Sequence, residues 1–168
     1  MGDNTILKLV YTFFLGVLLA IFIGVGINTF YPGPKEPQFP VELNSYGKEI
    51  NLTSDQIAIQ KDWDQKIEQH NNEMKPYNRN VSIITLVAAV IFLAISVLYE
   101  KKIQVIADGI MLGGLFTLLY SLGRGFASED SKYVFAVVSV SLATALFLGY
   151  HRFVRGHEGT GKSSKAKA

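Results

Sequence analysis

Asp108 is the one carboxylate of this sequence that sits inside an apolar run, the otherwise uncharged stretch from Ile103 to Leu122. A carboxylate at membrane depth costs about 2.5–3.5 kcal/mol on insertion scales, so it needs a cation, a donor or water and marks a functional position by default. Counted from Lys102 at about 1.5 Å per residue, it lies only roughly 9 Å inside the run. A later helix start would leave Gln104 and Asp108 in the interface but draw Arg124 inward, because 15 uncharged residues separate Asp108 from Arg124. The two charges stand about 24 Å apart along a helix axis and cannot pair within it. Gln104 and Asp108 are therefore the candidate intramembrane polar or interface residues. Lys8, His151 and Arg152, near the ends of other helices on the same side, are the candidate partners of Asp108. If one of them reaches it, the residue is a clamp at the rim. If none does, it marks a surface for a second protomer or another protein.

Other residues with chemical reach are scattered. His70, His151 and His157 have no second histidine or carboxylate at i,i+4, so no metal site is expected. The absence of cysteine excludes thiolate ligands, disulfides and cysteine nucleophiles. Gly123-Arg-Gly125 lacks the spacing and the following Lys-Ser/Thr of a phosphate loop. Asn51-Leu-Thr53 fits a glycosylation sequon. No cluster of His, Asp or Glu stands at catalytic spacing, so the expectation is a non-enzymatic protein with no catalytic residue and no cofactor.

The elements that must carry these residues follow from the distribution of charge. Charged residues make up 18% of the chain, below the usual quarter, and they avoid long stretches. There are 26 uncharged positions between Lys8 and Lys35, 20 from Asn80 to Tyr99, and 19 from Tyr133 to His151, counting histidine as neutral. About 20 apolar residues span a hydrocarbon core as a helix. The fold class expected is an all-α membrane protein with four transmembrane helices: Leu9 to Phe30, Val81 to Tyr99, Ile103 to Leu122 and Tyr133 to Tyr150. Glu100-Lys101-Lys102 is the whole connection between the second and third, which predicts a tight antiparallel hairpin. The first apolar run is longer than a signal-peptide core and no A-x-A site follows it, so it reads as an uncleaved anchor.

Residues 31–80 form a roughly 50-residue outer segment between the first two spans. Four of the five prolines lie between Tyr31 and Pro40, which predicts an extended exit from the membrane. Thr53 and Gln56 stand at capping-box spacing, and a polar helix is predicted from there to about Lys75, with Pro76 kinking or ending it. Ile59, Trp63 and Ile67, continued by His70 and Met74, recur on one narrow apolar face of that helix. Asp62 and Lys66 make a favourable i,i+4 pair on another. The organisation is thus 1–30 for the amino terminus and first span, 31–80 for the outer segment, 81–155 for the remaining spans, and 156–168 for a basic tail of disordered composition.

An even number of spans puts both termini and the Glu100–Lys102 turn on one side. That side carries Lys8, Lys101, Lys102, Arg152, Arg155, Lys162, Lys165 and Lys167 against Asp3, Glu100 and Glu158. The long loop carries six basic and eight acidic residues. Retention of positive charge in the cytoplasm predicts a multi-pass plasma-membrane protein with both termini cytoplasmic.

Small residues at steps of four predict where the helices touch. These are Gly16, Ala20 and Gly24 on the first span, Gly109 and Gly113 on the third, and Ser141 and Ala145 on the fourth, which together suggest a compact bundle. On a wheel, Gln104, Asp108 and Met111 lie about 100–180° from the Gly109–Gly113 stripe. If that stripe faces its own bundle, Asp108 is expected to face headgroups or another protein.

The function expected on this pattern is a structural or accessory membrane subunit that contacts a partner through its outer segment or membrane face. The alternative is a small transporter or channel-forming oligomer using Asp108. The partners implied are the lipid bilayer and either a second copy or another membrane protein, with no role for nucleic acid.

Overall fold

In each uncharged run the helix is the one conformation that satisfies every backbone group without water. The computed structural model describes residues 3–41 and 54–154. The helices are α1 (Asp3–Phe30), α2 (Ser54–Tyr99), α3 (Gln104–Phe126) and α4 (Ser131–Gly149), with α4 continued by a π-helical turn, Tyr150–Val154. Among the described residues these four helices are long and apolar enough to cross a membrane, and there is no strand. Large apolar side chains such as Phe14, Phe22, Leu98, Phe135 and Phe147 point away from the chain's own core. A surface of this kind is stable in hydrocarbon rather than in water.

The interior is small and hydroxylated instead. Val81, Ser82, Thr85, Ser96, Thr117 and Ser121 are its most enclosed side chains. Each of the hydroxyls reaches a main-chain carbonyl. Ser82 and Ser121 donate across the α2–α3 contact to one another's carbonyls, both at 2.8 Å, and Ser96 donates to Ala107 at 2.8 Å. Thr85 and Thr117 donate back along their own helices. Interhelical bonds of this type contribute about 0.6 kcal/mol each in a bilayer, so close packing has to supply most of the association energy.

α2 and α3 form the expected hairpin, closed by the amides of Lys102 and Ile103, which both donate to the Tyr99 carbonyl. Gly114 lies under Leu93 and the Ala89 carbonyl, and the apolar seam runs through Ala89, Leu93 and Leu118. α1 packs on another face of α3 through the predicted glycines. A Cβ on Gly16 would stand 2.9 Å from Leu112 Cβ, one on Gly113 2.9 Å from Leu19 Cβ, and one on Gly109 2.6 Å from Leu15. α3 is thus the centre of the fold, and α1 is buried almost nowhere else along its apolar stretch.

Two positions of the predicted packing stripes fall elsewhere. A Cβ on Gly24 would meet nothing within 4 Å. Nearer its end α1 meets residues of both α2 and α3 through larger side chains. There Ile27 and Ile23 join Tyr77, Val81 and Tyr120. Ala145 is exposed, whereas Val137, Ser141 and Leu148 are the buried residues of α4. A four-residue step drifts about 40° around a helix each time, so the stripe leaves the contact that a seven-residue spacing keeps.

The main departure from expectation is α2. Pro76 does not end the polar helix, which continues through the span to Tyr99 as one helix of 46 residues. The proline removes the amide that would bond the Asn72 carbonyl. Both residues are exposed and lie beyond the apolar run, where water can serve the freed carbonyl. Packing on both sides of the proline holds the helix together: Met74, Tyr77 and Val81 share one cluster, and Lys75 pairs with Glu129 at 2.8 Å. The Thr53 cap, the Asn51–Thr53 sequon and the tail 156–168 lie outside the described residues.

Candidate functional site

The charged residues of α3 are resolved one at each end. At the end bearing the Glu100–Lys102 turn, Asp108 accepts a hydrogen bond and ion pair from the Arg152 guanidinium, which the π turn after α4 carries to it. The second terminal nitrogen of Arg152 lies 3.4 Å from Met111 Sδ, one turn along α3. Both side chains are largely enclosed, at 14% exposure for Arg152 and 28% for Asp108. Of the candidate partners, Lys8 is exposed, and His151 packs its ring near Phe147 with Nδ1 unpartnered among the described residues. Gln104, one turn before Asp108, is exposed.

This corrects the expectation that Asp108 faces headgroups or another protein once the glycines face the bundle. The glycines do face α1, yet the opposite side of α3 is occupied as well, by the end of α4. A central helix has neighbours on several sides, so pointing away from one of them is not pointing outward.

At the other end, Arg124 donates from Nη1 to Asn78 Oδ1 at 2.8 Å and from Nε to Tyr120 Oη at 3.1 Å. Its guanidinium also lies over the rings of Tyr77 and Tyr120, at 5.7 and 5.5 Å from their centroids. Tyr77 in turn stacks on Tyr31 and donates to its carbonyl, and Gly33 fits where a side chain would strike the Tyr77 ring. Asn78 also donates to the Ala127 carbonyl, and Tyr133 Oη to that of Arg79. The base of the polar part of α2 is therefore tied to the end of α1, the end of α3 and the start of α4. The α4 start is itself capped by Asp130, whose carboxylate accepts from the amides of Lys132 and Tyr133.

Along the polar part of α2 Ile59, Trp63 and Ile67 are half-buried while the residues between them are exposed, as one narrow face requires. Phe39 of the proline-rich segment meets the Trp63 ring edge-on, with centroids 5.3 Å apart. Asp62 and Lys66 pair at 2.7 Å on an exposed flank, where such a pair stabilises little. Among the described residues no three of His, Asp or Glu gather as a metal-binding group.

Two parts of this arrangement escaped sequence reasoning. The small and hydroxyl residues of α2, at Ser82, Thr85, Ala89 and Ser96, recur at steps of three, four and seven, a signal hidden by the more conspicuous glycines of α3. The Arg124 cluster draws on residues 46 positions away, and only the fold brings them together. Comparison with known protein families, with curated proteins and with solved structures finds no match to this chain.

Proposed function

We propose that this protein is a structural or accessory subunit of the plasma membrane that holds its outer helix as a rigid mast for a partner protein. The observation that carries this reading is the continuity of α2, a single helix of 46 residues that runs from the bundle centre into the outer segment. At about 1.5 Å per residue, the stretch from Ser54 to Lys75 reaches roughly 33 Å beyond the rim. The Arg124–Asn78–Tyr77 contacts and the Lys75–Glu129 pair brace its base. A mast fixed in direction presents its flanks at a defined height and orientation, which limits the ordering entropy a partner must overcome. The charge asymmetry supports an orientation with both termini cytoplasmic and the mast outside.

The transport reading has less support. A carrier using Asp108 needs a carboxylate free to exchange its ion, and here the carboxylate is held by Arg152. The hydroxyls of Ser82, Thr85, Ser96, Thr117 and Ser121 are spent on main-chain carbonyls rather than lining a path, and among the described residues Ser141 Oγ is the one buried hydroxyl without a partner.

The deciding experiment is detergent pull-down from the native membrane with the intact chain and with a variant lacking residues 31–80. Partner recovery with the first and not the second is expected, and equal recovery would move the contact to the membrane face. Ion flux in liposomes carrying the protein alone would favour the transport reading.

Two expectations accompany this proposal. Cysteine at Gln69 is labelled in intact cells by an impermeant reagent and cysteine at Ser163 is not; the reverse pattern sinks the orientation. Spin labels at Lys61 and Arg79 flank Pro76 by a whole number of turns, about 27 Å apart. A single narrow distance near that value is expected, whereas a broad distribution would show a hinge at the proline and remove the mast.

A further inference from the structure

α4 sits lightly on the fold, and between it and α2 an apolar groove of about 480 Å³ stays open. Its walls are Val90, Ala94 and Leu98 of α2, which recur at steps of four, and Ala143, Phe147 and Leu148 of α4. Ala94 and Ala143, one on each wall, leave its space unfilled by side chains. We infer that this groove is the site of one anionic phospholipid, drawn from the leaflet at the end bearing the Glu100–Lys102 turn.

The choice of occupant rests on what stands at the groove's end. Leu98 is followed at once by the α2–α3 turn, where Lys101 and Lys102 are both exposed. Lys75, Arg124 and Arg152 are committed to partners in the chain, whereas neither of these lysines has a carboxylate within ion-pair distance among the described residues. On the α4 side His151 follows Phe147 by one turn, with Nδ1 enclosed and unpartnered among the described residues. An apolar channel for an acyl chain whose last α2 residue precedes, by three and four positions, two exposed lysines outside any ion pair among the described residues matches a diacyl lipid with a net negative headgroup. A zwitterionic lipid fills the same channel but brings its own cation to the lysines. Basic pockets between spanning helices recognise anionic headgroups by this charge difference. A second copy of the chain is the weaker occupant, since it would have to bring its own anionic group to the lysines at the same place. The inference holds whichever face of the membrane the turn occupies.

The test uses the full chain, delipidated in neutral detergent and titrated by native mass spectrometry. The probes are phosphatidylglycerol and phosphatidylcholine with the same acyl chains. The first phosphatidylglycerol is expected to bind about tenfold more tightly than the first phosphatidylcholine, on the order of what two nearby lysines supply. Lys101→Ala with Lys102→Ala, both on an exposed turn, should bring the two lipids to within about threefold of each other by removing that attraction. Ala143→Phe, which fills the groove without touching the charges, should weaken the first site for both lipids. Equal affinity for the two lipids in the unaltered protein overturns the inference. So does a phosphatidylglycerol preference that survives both variants. Loss of a dimer in Ala143→Phe with lipid binding unchanged also overturns it, and assigns the groove to a second copy.

Discussion

Arg152→Ala lowers the stability of the detergent-solubilised protein by about 2 kcal/mol, because it strands the Asp108 carboxylate in an apolar surround. Asp108→Asn costs less, about 1 kcal/mol, since the freed arginine is long enough to carry its charge out to the headgroups. The double variant Asp108→Asn with Arg152→Ala costs about 1 kcal/mol rather than the sum of about 3, and the cycle yields a coupling of about 2 kcal/mol. Thermal unfolding followed by circular dichroism at 222 nm in one detergent reads all four proteins. Additive losses would mean that the ion pair carries no energy. Native gels run on the same samples separate the pair from an interface between chains. Weaker assembly of Asp108→Asn with an undisturbed monomer would place the carboxylate at a protein contact instead. The expectation is that assembly is unaffected, since the partner of Asp108 lies in its own chain.

A larger effect is expected from Gly113→Ile at the crossing of α1 and α3. A Cβ there would already stand 2.9 Å from Leu19 Cβ and 3.2 Å from the Gly16 carbonyl oxygen. A backbone atom cannot yield as a flexible side chain can, so the helices must part. Overpacking of this kind costs about 1–3 kcal/mol in a core, and more where the added group branches at Cβ. α1 is held almost entirely along this one face of α3, so separation rather than local adjustment is expected. Cysteines replacing Thr12 and Val105 report the contact, because the Thr12 hydroxyl lies 3.4 Å from the Val105 carbonyl oxygen. Disulfide yield between them should fall several-fold in Gly113→Ile. Gly24→Ile is the matched control, since a Cβ at Gly24 meets nothing within 4 Å and the yield should be unchanged. Loss of the crosslink in both variants would mean that α1 is displaced by bulk in general and that the Gly16–Gly113 contact is not what seats it.

What the sequence by itself determined is the set of properties that depend on runs and spacings. Uncharged runs of about 20 residues can satisfy their backbone in hydrocarbon only as helices, so the four helices were legible from the charges alone. A three-residue link forces its neighbours into an antiparallel hairpin, and the glycines at 16, 109 and 113 announced close approach because nothing else lets backbones come so near. The Ile59–Trp63–Ile67 face followed from helical period in the same way. What only the tertiary structure decided is how those faces are shared among several neighbours. A wheel shows which residues point together but not how many helices surround them, which is why Asp108, opposite the glycines, met Arg152 rather than the outside. A proline is judged locally as a helix breaker, yet contacts with α1, α3 and the loop before α4 carried α2 past Pro76 unbroken. Propensities act on a few residues at a time, whereas these contacts join positions some 50 apart and hold the helix on both sides of its weakest point.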